Sequence, residues 1–214
     1  MKKAIIFDLD GTLLNTIGDL NNTVNLTYKF FGINKVDSTD KTMSMVGHGI
    51  RNLVEQMFVE HPKLVDEAYK KFLEIYDSKY YKTTVPYDGI KDIVDKLIAE
   101  GIKIGVNSNK NDTYTKKLIE MHFSNINLDY VLGKCEGINV KPDPMGANLI
   151  LKKMGIISSE ALYIGDSPTD IKTALNANID PISVTWGFRS KQQLIDSGAI
   201  RIVNKPEEIL NILQ

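Results

Sequence analysis

The stretch KKAIIFDLDGTLL, residues 2–14, holds the feature on which the interpretation of the chain depends. Residues 4–7 are continuously apolar, which predicts a strand buried on both faces, as in a parallel sheet. Asp8 and Asp10 follow this run, and side chains two positions apart on a strand point to the same face. Two carboxylates so close repel each other. A shared proton, a metal ion or a basic partner must therefore offset their charge.

The sequence after this stretch changes to the periodicity of amphipathic helices. Apolar residues recur at spacings of three and four in residues 17–31, 50–58 and 65–80. Gly32 is a plausible C-cap for the first of these helices, and Pro62 limits the second. The region between residues 15 and 82 is therefore predicted to be helical, without a strand.

From residue 86 onward, short apolar runs alternate with helical segments. This alternation predicts an α/β fold in which a parallel sheet carries helices on both faces. The helical block interrupts the alternation, so we interpret residues 15–82 as an inserted domain and residues 1–14 and 83–214 as the core. The predicted linkers are residues 14–16 and 82–86. The strands predicted after residue 86 are 102–106, 130–132, 161–164, 181–184 and 200–203. The helices predicted in the same region are 90–98, 112–121, 144–154, 168–177, 190–197 and 206–213.

The composition excludes several classes of function. The 214 residues are 43% hydrophobic and 25% charged, with a formal net charge of −1. This charge gives no bulk electrostatic reason to bind nucleic acid or an anionic membrane, and we expect neither as a partner. The single cysteine, Cys135, cannot form an internal disulfide, and we expect it to have no chemical role. No apolar run resembles a signal peptide or a membrane span, so we expect a cytoplasmic protein.

Polar residues follow three of the predicted strands at the point where each strand ends. Asp8 and Asp10 follow the first strand, residues 107–110 (NSNK) follow the strand 102–106, and residues 165–170 (GDSPTD) follow the strand 161–164. Ligands bind beyond the carboxyl ends of the strands in open parallel sheets. We therefore expect these residues to form one site, which Lys141 can join from a loop.

The charges of this predicted site require a cation. Asp8, Asp10, Asp166 and Asp170 bring four formal negative charges against the one positive charge of Lys141. Hard oxygen ligands without imidazole or thiolate favour Mg²⁺, which also engages phosphate groups. The sequence therefore predicts a magnesium site that holds an anion.

Four ordered motifs carry a resemblance to a known family. They are Asp8-x-Asp10-Gly11-Thr12, then Ser108 after a strand, then Lys141-Pro-Asp-Pro, then Gly165-Asp166-Ser-Pro-Thr-Asp170. Together they resemble the motifs of the haloacid dehalogenase-like (HAD) superfamily, and the resemblance covers the whole chain. It implies a Rossmann-like parallel sheet core with an inserted all-helical cap of the C1 type, placed directly after the first motif.

The resemblance also implies roles for the two aspartates of the first motif. Asp8 would be the nucleophile that attacks phosphorus and becomes an aspartyl phosphate. Asp10 would protonate the leaving oxygen and then activate water, and its backbone carbonyl would also bind Mg²⁺. A dehalogenase of this family does not need a second aspartate at this position. The resemblance therefore favours phosphoester chemistry.

The other three motifs would complete the site. Ser108 would hydrogen-bond a phosphoryl oxygen, and Lys141 would neutralise charge on the nucleophile and the phosphoryl group. Asp166 would ligate Mg²⁺, and Asp170 would orient the metal's ligands or Lys141. The expected metal-binding set is Asp8, Asp10, Asp166 and Asp170.

A segment of the helical block narrows the resemblance further. Residues 45–53 (MVGHGIRNL) are similar to the cap segment VGxGxxxL of phosphoglycolate phosphatases and their relatives. This similarity implies that Gly47, His48 and Arg51 contact the substrate, for instance through a substrate carboxylate. Related caps serve pyrophosphatases, nucleotidases and sugar-phosphate enzymes, so these substrates stay open.

Several residues near the motifs receive a simpler interpretation. Asn109 lies close to the site and is a candidate for binding substrate, although a capping role is the simpler interpretation, and we expect Lys110 to lie on the surface. Trp186, Phe188 and Arg189 follow a predicted strand and could line the entrance of the site, but we favour ordinary packing or, for Arg189, a solvated side chain.

The charge argument and the resemblance together imply a magnesium-dependent phosphatase that hydrolyses a small phosphorylated metabolite, such as phosphoglycolate, through an aspartyl phosphate, as a monomer or homodimer. The alternatives are a phosphotransferase or mutase of the β-phosphoglucomutase type, an inorganic pyrophosphatase or nucleotidase, and a non-catalytic regulatory protein on the same scaffold.

Overall fold

The computed structural model describes residues 1–78 and 81–213. Within these residues, six parallel strands form one sheet in the order β5-β4-β1-β6-β7-β8, and two short strands, β2 and β3, pair separately. The α/β fold class predicted from the sequence is confirmed. The strands are β1 (Ala4–Phe7), β2 (Leu14–Asn15), β3 (Val85–Pro86), β4 (Lys103–Asn111), β5 (Tyr130–Lys134), β6 (Ala161–Gly165), β7 (Asp180–Val184) and β8 (Ile202–Val203).

Helices connect the strands of the sheet and form a separate block after β2. This block contains α1 to α4. The helices are α1 (Ile17–Phe30), α2 (Thr39–Met45), α3 (Gly49–Met57), α4 (Val65–Asp77), α5 (Ile90–Ala99), α6 (Asp112–Phe123), α7 (Met145–Met154), α8 (Pro168–Asn176), α9 (Lys191–Asp196) and α10 (Glu208–Leu213).

Strand β1 lies at the centre of the sheet, which explains its continuous apolar sequence. Its residue Ala4 pairs with Lys103 of β4 on one side and with Ala161 of β6 on the other. Ile5 and Phe7 pack into the larger hydrophobic core, whereas Ala4 and Ile6 pack into a second core. Both faces of β1 are therefore covered, as is typical of a parallel sheet.

The two predicted linkers lie side by side. Leu14 pairs with Pro86 and Asn15 with Val85 in an antiparallel ribbon, which we call the linker ribbon. The prediction that residues 15–82 contain no strand is thus wrong at Asn15. We refer to residues 15–82 as the cap segment; their status as a separate domain stays a prediction.

A buried carboxylate ties the cap segment to the second linker. Asp19, in the first turn of α1, is 1% exposed. Its side chain accepts hydrogen bonds from the backbone N–H of Thr83 at 3.0 Å and of Thr84 at 2.9 Å, and from the Thr84 hydroxyl at 2.8 Å. These bonds fix the start of α1 against the strand that returns to the core.

Besides the linker ribbon, three elements differ from those predicted by more than two residues. Strand β4 continues to Asn111 instead of ending at residue 106. Helix α2, which begins after the N-cap Ser38, has no counterpart in the prediction. Helix α4 ends at Asp77, and the predicted end of that helix at Tyr80 lies outside the described residues. Within the described part of the chain, no helix combines the length and apolar character needed to cross a membrane.

Candidate active site

Three of the predicted site residues lie on or directly after the central strands of the sheet. Asp8 directly follows β1, and its backbone N–H donates to the carbonyl of Ile164 in β6 at 2.9 Å. Asp166 directly follows β6, and Ser108 lies on β4. Because β1 pairs with both β4 and β6, three neighbouring strands bring these side chains to one cavity.

Lys141 joins two of the carboxylates. Its Nζ lies 2.7 Å from Oδ1 of Asp8 and 2.7 Å from Oδ1 of Asp170. Burial lowers the pKa of Lys141, but Asp170 and Asp8 more than offset this effect, so the pKa is raised and the ammonium stays charged. The other oxygen of Asp170 accepts from the backbone N–H of Ser167 at 3.1 Å and from its hydroxyl at 2.5 Å. Helix α8 and its capping box therefore hold Asp170, which in turn orients Lys141.

A group of three buried carboxylates fits a divalent cation. Among the described residues, Asp8, Asp166 and Asp170 each offer one carboxylate oxygen, and these oxygens lie within 4.8 Å of one another. Burial, with the Asp170 carboxylate second, raises the pKa of Asp166 to about 7. Burial and then Asp170 also raise the pKa of Asp8. This all-oxygen set resists ionisation without a cation, and it matches the ligand chemistry of Mg²⁺.

The side chain of Asp10 does not belong to this group. Its Oδ1 accepts a hydrogen bond from the Thr16 hydroxyl at 2.6 Å and another from Nζ of Lys110 at 2.9 Å. Asp10 nonetheless lines the same cavity as Asp8. Of the four predicted metal-binding carboxylates, three therefore lie together, and the side chain of Asp10 lies apart from them, next to Lys110.

Lys110 is buried, so the expectation that it lies on the surface is wrong. The residue is 5% exposed and lines the cavity. Burial lowers its pKa, but Asp10 and Tyr76 more than offset this effect, so the pKa of Lys110 is raised. The site thus contains two buried lysines, of which the sequence indicated one.

Asn109 connects the cap segment to the loop that carries Lys141. Its Nδ2 donates to the carbonyl of Gly47 at 2.9 Å and to that of Lys141 at 3.1 Å, while its Oδ1 accepts from the N–H of Lys141 at 2.7 Å. The neighbouring Ser108 lines the cavity, and its hydroxyl accepts from the N–H of Lys110 at 3.1 Å. The Ser108 hydroxyl proton thus remains available to a ligand.

The cap segment closes the cavity with apolar side chains and glycine backbone. Gly47 and Gly49 line the cavity at φ values of 131° and 84°, which favour glycine. The apolar side chains on this side of the cavity are Leu20, Val46, Ile50 and Leu53.

His48 and Arg51 are not among the residues that line this cavity. His48 occupies the N-cap position of α3. Arg51 forms ion pairs with Glu55 at 3.0 Å and with Asp66 at 2.7 Å, and it lines a neighbouring cavity between the cap segment and the core. Their contact with substrate stays a prediction.

Phe188 and Arg189 also line the cavity, although the side chain of Phe188 is buried, as expected of a packing residue. The backbone N–H of Phe188 donates to Oδ2 of Asp166 at 2.6 Å. Arg189 donates to the carbonyls of Met43 and Val46 in the cap segment, each at 2.6 Å, and is not the solvated residue that we expected. Both follow β7, the next strand of the sheet after β6. Their place after a strand end was the signal that pointed to the cavity, and for Arg189 the solvated alternative that we favoured is wrong.

Comparisons with known proteins agree with this geometry. A family model described as haloacid dehalogenase-like hydrolase matches residues 5–184. A phosphoglycolate phosphatase of Rhodospirillum rubrum is 30% identical over 212 residues, which cover 94% of this chain and 87% of the relative. The pyrophosphatase PpaX of Listeria monocytogenes is 26% identical over 213 residues, which cover 99% of this chain and 96% of the relative.

Solved structures show the same architecture. The crystal structure of a provisionally assigned phosphoglycolate phosphatase from Lactobacillus delbrueckii subsp. bulgaricus has a TM-score of 0.91 and 30% sequence identity, and the match covers 100% of this chain and 99% of that one. Since the family model spans most of the sequence, including all four motifs predicted to form the site, the chain belongs to the haloacid dehalogenase-like hydrolase family.

Proposed function

We propose that the protein is a magnesium-dependent phosphatase that hydrolyses small phosphorylated metabolites through a phosphorylated Asp8. The observation that carries this proposal is the contact of Lys141 with Asp8 and Asp170 inside a buried group of three carboxylates. The phosphoglycolate phosphatases among the relatives support the same reaction class.

In the first step, a carboxylate oxygen of Asp8 attacks phosphorus. A phosphorus–oxygen bond to Asp8 forms and the bond to the leaving oxygen breaks, while Asp10 gives its proton to that oxygen and an alcohol leaves. Lys141 and the Ser108 hydroxyl offset the negative charge on the phosphoryl oxygens, as phosphoryl transfer requires.

In the second step, Asp10 acts as a base. It takes a proton from a water molecule whose oxygen attacks phosphorus, and the bond between phosphorus and Asp8 breaks. Inorganic phosphate leaves, and Asp10 has regained the proton that it lost in the first step. The two steps therefore balance.

The carboxylates Asp8, Asp166 and Asp170 would hold Mg²⁺, with the backbone carbonyl of Asp10 as a further ligand. When bound, the ion supplies positive charge that neutralises the phosphoryl group and the carboxylates. Asp166 is kept in place by the N–H of Phe188, so its orientation does not depend on the metal.

The cavity indicates a small substrate with an acidic or minimal non-phosphate part. The cap segment contributes apolar side chains and glycine backbone, which leave few groups to recognise a sugar or a base. Arg189 is the guanidinium that lines the cavity among the described residues. Phosphoglycolate, a two-carbon phosphate ester with a carboxylate, suits this combination. Pyrophosphate is the second candidate, because a similar relative is a pyrophosphatase and pyrophosphate also lacks a bulky organic part.

A phosphate-release assay tests the proposal. The purified protein is given phosphoglycolate, pyrophosphate, p-nitrophenyl phosphate and a nucleoside monophosphate, each with Mg²⁺ and with a chelator. We expect release of inorganic phosphate with Mg²⁺ and none with the chelator, with phosphoglycolate giving the highest kcat/KM. Phosphate release that is insensitive to chelation would contradict the metal site, and transfer of the phosphoryl group to a sugar would favour the mutase alternative.

A further inference from the structure

Lys110 is a buried cation for which the four motifs give no role. Its side chain is 3% exposed, and its Nζ lies 2.9 Å from Oδ1 of Asp10. Removing an ammonium group from water costs several kcal/mol unless a partner compensates for the lost hydration. The charge of Asp10 therefore stabilises the buried ammonium group of Lys110, and the same contact restrains the carboxyl group of Asp10.

Both anchors of Asp10 are attached to the same oxygen atom. The Thr16 hydroxyl, close to Asp10 in the sequence, donates to Oδ1 at 2.6 Å. Lys110, which is distant in the sequence and lies on β4, donates to the same oxygen at 2.9 Å. Among the described residues, Oδ2 of Asp10 accepts no hydrogen bond. Since Asp10 lines the cavity, one oxygen is fixed and the other is left for a ligand.

Lys110 is itself held in place by an aromatic wall from the cap segment. Its Nζ lies 5.2 Å from the centroid of the Tyr76 ring, within the range of a cation–π contact. The Tyr76 ring stacks on Phe72 at 6.0 Å and meets the edge of Tyr114 at 5.3 Å, so α4 and α6 both support it. The ammonium group thus has a defined position, which a flexible lysine side chain would not have on a surface.

We propose that Lys110 is a positioning residue for Asp10. With Thr16, it fixes Oδ1 of the carboxyl group and directs Oδ2 toward the leaving oxygen of the substrate. This inference rests on the proposed phosphatase function. It assigns to Lys110 an effect on proton transfer, which differs from the charge neutralisation by Lys141.

The proposal predicts an effect that depends on the leaving group. A general acid matters most when the leaving oxygen is a strong base, because such an oxygen cannot depart without a proton. Phenyl phosphate and p-nitrophenyl phosphate have nearly the same shape, but the phenolate is the poorer leaving group. The ratio of their kcat/KM values therefore measures how well Asp10 is positioned, since kcat/KM reports the step that phosphorylates Asp8.

The experiment compares Lys110→Met, which keeps the length of the side chain and removes its charge, with the wild-type protein. We expect kcat/KM for phenyl phosphate to fall about 10- to 100-fold more than that for p-nitrophenyl phosphate. Lys110→Arg should restore part of the ratio because it keeps a charged donor. Lys116→Met is the matched control, since Lys116 lies on the exposed side of α6 in an ion pair with Asp112, and it should leave the ratio unchanged.

Two further variants keep the test decisive. Asp10→Asn removes the proposed general acid, so its effect on the ratio of the two kcat/KM values defines the largest change to expect from loss of positioning. Thr16→Val removes the other donor to Oδ1 and should change the ratio in the same direction, which decides the matter if Lys110→Met does not fold. Equal losses for both esters in Lys110→Met and Thr16→Val would overturn the proposal. Phosphoglycolate serves as the reference substrate: if the wild-type protein releases phosphate from none of the three esters with Mg²⁺, the phosphatase function itself fails, and this inference falls with it.

Discussion

Asp8 lies between one lysine and two other acids, a position in which its charged form is costly to the fold. Burial and Asp170 raise the pKa of Asp8, although Lys141 opposes them. The carboxylate form, which the proposed mechanism requires, is therefore disfavoured in the metal-free protein. Sites that hold reactive groups in unfavourable surroundings commonly trade stability for activity.

Asp8→Asn should separate these two properties. We expect turnover to fall by a factor on the order of 10³ or more, because an amide cannot form the aspartyl phosphate. The same variant should melt at an equal or higher temperature without metal, since the amide carries no charge to desolvate. Phosphate release and thermal unfolding followed by circular dichroism measure the two effects. Substantial remaining turnover would contradict the covalent route.

At the scale of elements, the sequence predicted most strands and helices of the core because their apolar patterns are long and regular. The exception is β4, which continues through the polar residues 107–110. All four residues are buried, and residues 108–110 line the cavity, whereas apolar periodicity identifies buried strands only when their side chains are apolar. The same reason explains why Lys110 was expected on the surface. Helix α2 has seven residues with two buried, too few to produce a recognisable stripe.

The contact between α1 and the second linker gives a prediction at this scale. The carboxylate of Asp19 accepts hydrogen bonds from two backbone N–H groups and a hydroxyl. In Asp19→Asn, one carboxylate oxygen becomes an NH₂ group, which cannot accept these bonds. We expect the free energy of unfolding to fall by about 1–3 kcal/mol. Urea denaturation measures this loss. Asp95→Asn on the exposed side of α5 is the matched control and should change stability little. A variant as stable as the control would show that Asp19 does not hold the linker.

At the scale of the whole molecule, the family and the fold class predicted from the motifs are confirmed. The motifs sufficed because three of the four lie on or directly after three neighbouring strands, which the sheet brings together whatever the rest of the chain does. The cap contacts could not be predicted in this way. Which side of α3 faces the cavity depends on how the cap segment docks, so sequence similarity pointed to Arg51, whereas the structure places Ile50 and Leu53 at the cavity.

Magnesium should stabilise the folded protein as a whole, independently of turnover. A ligand that binds only the folded state adds about 2.7 kcal/mol at a concentration 100-fold above its Kd. We therefore expect Mg²⁺ to raise the melting temperature of the metal-free protein, compared with NaCl at equal ionic strength. Asp166→Asn should lose most of this increase because it removes one of the three clustered carboxylates. An unchanged increase in that variant would place the metal elsewhere.

The linker ribbon has a consequence for how such proteins diversify. Since Leu14 pairs with Pro86 and Asn15 with Val85, the chain leaves the sheet and returns to it at neighbouring points, roughly 5 Å apart as in any antiparallel pair. The segment inserted between the two strands of the linker ribbon can therefore differ in length, or be replaced by a two-residue turn, without altering the register of the six-stranded sheet. New substrate ranges can thus be acquired by swapping one contiguous piece of the gene, while the reactive carboxylates keep their places.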